Sequence, residues 1–320
     1  MPDSPRVLFI FLDGVGVGQP DPETNPFLKA RIPTIRGLLG NRIPHLGPDA
    51  QHGGVPHRMA LASDTSAADD ALFLPLDPLL GVGGLPQSGT GQTALLTGKN
   101  AAALYGRHFG PWVPVPLRPL LMKDNLLSRA ISEGISCIFA NAYPSQFLQR
   151  AWTRRPSGPA LAAHAAGVLT RHEEHLAQGD ALSSEILNTA WRTQLGLAHL
   201  PEVTPEGAGR NLARIAAGAG LTFFAHYSTD TAGHKRTMAD AVNALERVDA
   251  FLGGLVPALP PQTLLVMASD HGNIEDVTQG HTRNPTLGLV LGPGARELGA
   301  GLSRITDVPG LILRYLTGRH

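Results

Sequence analysis

Three aspartates stand directly after apolar runs of strand length. Val7 to Leu12 leads into Asp13, Leu221 to Tyr227 into Ser228-Thr229-Asp230, and Thr263 to Ser269 into Asp270-His271. A single aspartate in such a place caps a helix or opens a turn. Three of them, two with a histidine close by, point instead to a cation site. Asp230 and His234 lie four apart in STDTAGHK, which puts both on one face of a helical turn, where they can chelate one ion. Asp270 and His271 are adjacent, and in an irregular turn at a strand end both can reach one ion. His281, in QGHTRNP, is the remaining candidate, and its weight comes only from the others. Mixed carboxylate and imidazole donors suit zinc or manganese better than calcium or magnesium. Lys235 is the only cation adjacent in sequence to these acids, so three buried carboxylates need further positive charge, which supports two ions. Two divalent ions a few ångströms apart clamp the attacking and leaving oxygens of phosphoryl transfer.

Such a clamp needs a nucleophile, and LPQSGTGQTALLTGKN, from Leu85 to Asn100, offers four hydroxyls: Ser88, Thr90, Thr93 and Thr97. The stretch resembles a nucleotide-phosphate loop around Gly98-Lys99, but Thr93 replaces the first glycine and Asn100 the hydroxyl that would bind magnesium. Ser88 follows Pro86-Gln87 and precedes a segment able to be helical. It would therefore stand at a helix N-terminus, where the dipole and free N–H groups favour an alkoxide and an incoming phosphate. Thr90 is the runner-up, and Thr93 and Thr97 suit hydroxyls bonding back to the helix.

The elements that must position these residues read as an α/β protein. Strands are expected at Val7 to Leu12, Ile135 to Ala140, Leu221 to Tyr227, Thr263 to Ala268 and Leu287 to Leu291. Helical patterns alternate with them at Asp124 to Glu133, Pro205 to Ala219, Thr237 to Leu255 and Asp307 to Leu316. This alternation predicts a mostly parallel central sheet with helices on both faces, whose carboxyl strand ends line the ligand crevice. The expected core comprises residues 1–143 and 205–320. Residues 144–204 form a small inserted cap, itself partly helical, for example from Glu185 to Leu195.

Composition narrows the function classes. Lys plus Arg number 26 and Asp plus Glu 26, so there is no field to hold nucleic acid or an anionic membrane surface. One cysteine, Cys137, excludes an intramolecular disulfide and fits a reducing compartment. Every apolar run is interrupted by glycine, proline or charge before membrane length, and a soluble, cytoplasmic protein is expected. The sequence does not specify an oligomeric state. GVGVG, at Gly14 to Gly18, follows a strand but lacks dinucleotide-loop spacing and suits close approach of backbone to a metal. His172-Glu173-Glu174-His175 is one residue short of the zinc spacing HExxH and suits an exposed helix face. Arg154 or Arg155 in WTRRP, from Trp152 to Pro156, could fork onto a phosphate, although a solvated basic turn is the plainer reading. Lys99, Arg107 and His108 are near the nucleophile in sequence without an assigned role.

VLFIFLDGVGVG, PQSGTGQTALLTG, STDTAGHK, ASDHGN and GHTRNP, in that order over residues 7 to 285, resemble the alkaline phosphatase superfamily, in the branch of cofactor-independent phosphoglycerate mutase and phosphopentomutase. The resemblance implies an alkaline phosphatase-like fold and a pair of zinc or manganese ions. Asp230, His234 and His281 would hold one ion. Asp13, Asp270 and His271 would hold the other, together with the Ser88 oxygen. It also selects Ser88, nine positions before Thr97 of the Thr97-Gly98 pair, as the nucleophile. A serine there, with Cys137 far away, argues against a sulfatase that needs a modified cysteine. The expected chemistry proceeds through a phosphoserine on a small phosphorylated substrate. An insertion of about sixty residues is small for a lid that retains an intermediate, which favours hydrolysis by a phosphomonoesterase. The alternatives are a phosphomutase and an inactive module that binds a phosphorylated ligand.

Overall fold

A computed structural model of the protein describes residues 4–47, 71–148 and 154–319. Six strands form one sheet: β1 (Arg6–Leu12), β2 (Ala71–Leu76), β3 (Cys137–Phe139), β4 (Leu221–His226), β5 (Thr263–Ala268) and β6 (Thr286–Leu291), in the order β2-β6-β5-β1-β4-β3. β1 pairs in parallel with both β4 and β5, and β3 pairs in parallel with β4. β6 runs antiparallel to β5 and to β2, so it is the one reversed strand of the mostly parallel sheet. β2 has no counterpart among the strands expected from sequence. Pro75 interrupts it, and a proline without an N–H is tolerated at the sheet edge, where β2 lies.

Alternation along the strands supplies two cores. Val7, Phe9, Phe11, Phe223, Leu264 and Val266 point to one face, and Leu8, Ile10, Leu12, Phe224, Leu265 and Met267 to the other. Both sets are buried, as a parallel sheet covered on both sides requires. The first face is covered by α1 (Ser88–Thr97), α2 (Leu126–Ser132), α3 (Gly158–Ala165) and a closing helix, Val308–Thr317. The second is covered by α4 (Pro205–Ala216) and the long helix Met238–Leu255, with α5 (Ser228–Lys235) leading into the latter. Within 144–204, Leu161, Ala162 and Ala163 of α3 join the main core, whereas Leu176, Ala181, Trp191 and Leu200 form a separate small cluster with Ala142. Helix there covers only Thr189–Thr193 of the stretch expected from Glu185 to Leu195. Ile186, with φ of 73°, turns the chain away from a helical path.

α4 approaches the helix Met238–Leu255 through glycines. A Cβ at Gly209 would overlap the Phe251 carbonyl and lie 2.7 Å from the Leu255 nitrogen. Gly209→Ala removes a flexible residue from a helix, which alone would be favourable, but here the added methyl forces two helices apart. The expected result is a loss of about 1–3 kcal/mol, read as a lower thermal midpoint. A raised midpoint would show that the helices separate without cost.

Candidate metal centre

The parallel register of β4, β1 and β5 brings three loops to one edge of the sheet. Asp13 follows β1 directly, Asp270 stands two residues after β5, and Asp230 lies in the first turn of α5, which begins two residues after β4. Their side chains converge with the histidines. His271 Nε2 is 3.2 Å from Asp13 Oδ1 and 3.6 Å from Asp270 Oδ2. His234 Nε2 is 3.3 Å from Asp230 Oδ2, and His281 Nε2 is 3.6 Å from Asp230 Oδ1. The two groups meet where the His271 and His281 rings stack with centroids 3.9 Å apart. Ser88 Oγ is 2.9 Å from His271 Nε2. All seven residues singled out from the sequence are therefore in one place.

The donor set fits cations. Asp13 Oδ1 and Asp270 Oδ2 are buried oxygens without a hydrogen-bond partner. His281 Nδ1 lies 2.8 Å from the Pro86 carbonyl, to which only a protonated Nδ1 can donate; its Nε2 lone pair is thereby aimed into the cluster. Nε2 of His281 and Nε2 of His234 are 3.2 Å apart, a separation that two lone pairs tolerate around a shared positive charge. Asp13, Asp270 and His271 form one group whose ligand atoms all lie within 4.8 Å of one another, and Asp230, His271 and His281 form a second. The electrostatics agree. Burial, then repulsion from Asp13, holds the Asp270 carboxyl well above the usual carboxylate range, and burial raises Asp13 as well. Burial opposes a charge on His271, but the carboxylates of Asp270 and Asp13 outweigh it and push the imidazole up to about 10. Burial and the neighbouring His271 charge bring His281 down to about 4. Burial would raise Asp230, but hydrogen bonding to His234 outweighs it and brings the carboxyl down to about 2. The same excess of buried negative charge would be neutralised by divalent cations.

α1 begins at Ser88, and its other hydroxyls are engaged. Thr93 Oγ1 donates to the Gly89 carbonyl and Thr97 Oγ1 to the Thr93 carbonyl, each at 2.7 Å. Thr90 Oγ1 donates to the Gln87 carbonyl at 3.2 Å and accepts from Phe109 N–H at 3.1 Å. Lys99, eleven residues along from Ser88, is exposed beyond the far end of α1, about 16 Å away at helical rise. Arg107 lies over the Tyr105 ring and His108 contacts the Val82 carbonyl. Arg155 stacks on Trp112 at 4.5 Å, while Trp152 lies outside the described residues. In the HEEH stretch, His172 Nδ1 bonds the Tyr143 carbonyl and His175 Nδ1 accepts from the His172 N–H, so each ring commits one nitrogen to the backbone. His226, at the end of β4, is outside the cluster. Burial pushes it down to about 4, and its Nδ1 bonds the Ser184 carbonyl at 2.7 Å.

Four residues that hold the ligands were not singled out from sequence. Gln92 Nε2 donates to Asp13 Oδ2 at 3.2 Å, and Asn273 Nδ2 to Asp230 Oδ1 at 2.6 Å. Thr229 Oγ1 donates to the Asp13 carbonyl. Glu275, 1% exposed, accepts from Gly16 N–H at 2.9 Å and Asn273 N–H at 2.8 Å on one oxygen, and from Thr282 Oγ1 and Asn284 Nδ2 on the other. It thus fastens the loop after β1, the loop after β5 and the loop of His281 to one another. Gly14, with φ of 68°, is required here, because a Cβ would lie 2.6 Å from Asp230 Oδ1.

Residues 208–316 match the family model described as the metalloenzyme superfamily. That span, about a third of the chain, is where the likeness to this superfamily lies. The matched segment carries Asp230, His234, Asp270, His271 and His281, residues whose donor atoms could hold divalent metal ions at the cluster. Asp13 and Ser88 lie outside it. A phosphopentomutase of Deinococcus radiodurans is 34% identical over 135 residues, covering 36% of this chain and 34% of that one. A 2,3-bisphosphoglycerate-independent phosphoglycerate mutase of Cereibacter sphaeroides is 30% identical over 127 residues, covering 36% of this chain and 25% of that one. The matched stretches thus span about a third or less of these relatives' length. The fold extends over the whole chain: the PH0037 protein from Pyrococcus horikoshii superposes with a TM-score of 0.59 at 14% identity, over 100% of this chain and 99% of that one. A cold-active alkaline phosphatase from a psychrophilic Shewanella superposes with a TM-score of 0.50 at 13% identity, over 96% and 99%. The fold is therefore alkaline phosphatase-like. Among the described residues, no helix is long and apolar enough to cross a membrane.

Proposed function

We propose that this protein is a phosphoryl-transfer enzyme that works through a phosphoserine at Ser88 and moves a phosphoryl group between positions of a small phosphorylated metabolite. The observation that carries the reading is the Ser88 hydroxyl, 2.9 Å from His271 Nε2 at the start of a buried helix and beside three convergent carboxylates. Asp13, Asp270 and His271 would hold one ion and Asp230, His234 and His281 the other, with manganese or zinc suited to the donors. Two such ions, when bound, favour the ionised serine and offset the charge of the phosphoryl oxygens.

The chain supplies the rest. Ser88 Oγ gives up its proton to solvent and forms a bond to phosphorus while the bond to the substrate oxygen breaks in line, and that oxygen takes up a proton from solvent and becomes a hydroxyl. The hydroxyl product then either attacks the phosphoserine through a second oxygen, which restores Ser88 and completes a mutase cycle, or leaves and is replaced by water. The matches to phosphopentomutases and phosphoglycerate mutases support the first outcome over the hydrolysis favoured from sequence. The short segment 144–204, proposed as a cap, supports hydrolysis as the second reading, since a small cover admits water.

The experiment is a panel of pentose phosphates and phosphoglycerates with manganese, zinc or magnesium, followed by phosphorus NMR of the products. Isomer without free phosphate is expected. Free phosphate without isomer would replace the mutase reading by a phosphomonoesterase. No turnover together with no metal uptake would leave a phospho-ligand binding module.

A further inference from the structure

Gln92 is 2% exposed and lies one helical turn after Ser88, on the same face of α1. Its side chain spans two distant parts of the chain. Oε1 accepts from the Gly158 N–H at 2.8 Å, and Nε2 donates to Asp13 Oδ2 at 3.2 Å. The first bond fixes the second. A backbone N–H only donates, so the amide oxygen must face Gly158 and the NH2 must face Asp13. The side chain cannot turn over without losing both bonds. One oxygen of Asp13 is thereby occupied, while Oδ1, facing His271, has no hydrogen-bond partner.

The other end of this link belongs to the inserted segment. Gly158 starts α3, and a Cβ on it would lie 2.7 Å from the Gln92 Cβ, so packing as well as hydrogen bonding joins the two. The two residues before it are docked to different elements: the Pro156 carbonyl accepts from Val113 N–H at 3.0 Å, and Ser157 Oγ is 3.1 Å from the Tyr227 hydroxyl at the head of α5.

We infer that Gln92 is a positioning residue that makes Asp13 a one-oxygen metal ligand and couples that ligand to the seating of residues 156–158. The inference rests on the metal-dependent reading above. It assigns to the inserted segment a task besides covering the substrate: its position is passed through one amide to the ion held by Asp13, Asp270 and His271. The site of Asp230, His234 and His281 has its own support in Asn273 and does not use this link.

The test is calorimetric titration of the full chain with manganese alone, comparing the native protein with Gln92→Met and Gly158→Ala. The native protein is expected to take up two equivalents. Gln92→Met should weaken one of them by about tenfold or more and leave the other as it was, in keeping with the cost of losing a partner that orients a ligand. Gly158→Ala touches no metal ligand, yet its added methyl presses on Gln92 and should weaken the same equivalent; it decides the matter if Gln92→Met does not fold. Native-like uptake of both equivalents in a folded variant overturns the inference alone. A native protein that binds no manganese overturns the inference together with the reading beneath it.

Discussion

Ser88→Ala is expected to lower phosphoryl transfer by roughly a million-fold, the scale seen when a serine nucleophile is removed while the surrounding electrostatics remain. No neighbouring hydroxyl is placed to take over. Thr90 is bonded to the Gln87 carbonyl and to Phe109, and Thr93 and Thr97 bond back along α1. The substitution should leave the fold intact, because the side chain is small and its hydrogen-bond partner His271 keeps the two carboxylates beside it. Two measurements check this together: initial rates on a turned-over substrate, and intact mass after acid quenching, which should show a phosphorylated native protein and none in the variant. Full activity with alanine at 88 would remove the serine from the reaction and leave attack by water or by a substrate hydroxyl directly on phosphorus.

Glu275→Ala is expected to destabilise the protein by about 3–5 kcal/mol, the second large effect. The carboxylate accepts four hydrogen bonds from three loops, and two of the donors are backbone N–H groups of the buried residues Gly16 and Asn273. Hydrogen bonds to a charged acceptor are worth more than neutral ones, and donors left buried without an acceptor are costly. Glu275→Gln should fall between the native protein and the alanine variant, because the amide keeps one accepting oxygen but turns an NH2 toward donors. Equilibrium unfolding in urea measures the loss. A midpoint unchanged in the alanine variant would show that the loops hold their places without the shared acceptor.

The carboxylates of the site were legible because a parallel sheet imposes a simple rule: neighbouring apolar runs of five or six residues end at the same edge, and the loops leaving them meet there. Asp13, Asp230 and Asp270 obey it, since β1 lies between β4 and β5 in register. Asp230 and His234 were legible through helical spacing, realised in α5. The P-loop look-alike resolved for a local reason, since Lys99 is at the wrong end of a helix that starts at Ser88. Other features left no local signal. β2 carries Pro75 and is recognisable only once its edge position is known, and the reversal of β6 is a property of its neighbours and not of its own residues. Gln92, Asn273 and Glu275 act on ligands through contacts between separate loops or distant segments, which spacing within one segment does not reveal. Glu275 does stand two residues after Asn273, the end of a stretch already singled out, and Gln92 stands on the same helical face as Ser88. Both could have been found by asking what holds each ligand as well as what each ligand holds.

All ten residues of α1 are buried, from Ser88 to Thr97. A helix enclosed on every side has no surface on which its sequence can drift, and each of its positions answers to a different neighbour: Gly89 to Trp112, Gly91 to Asp270, Gln92 to Gly158. The helix that begins at Ser88 therefore has little room to accept a larger side chain at any of its positions.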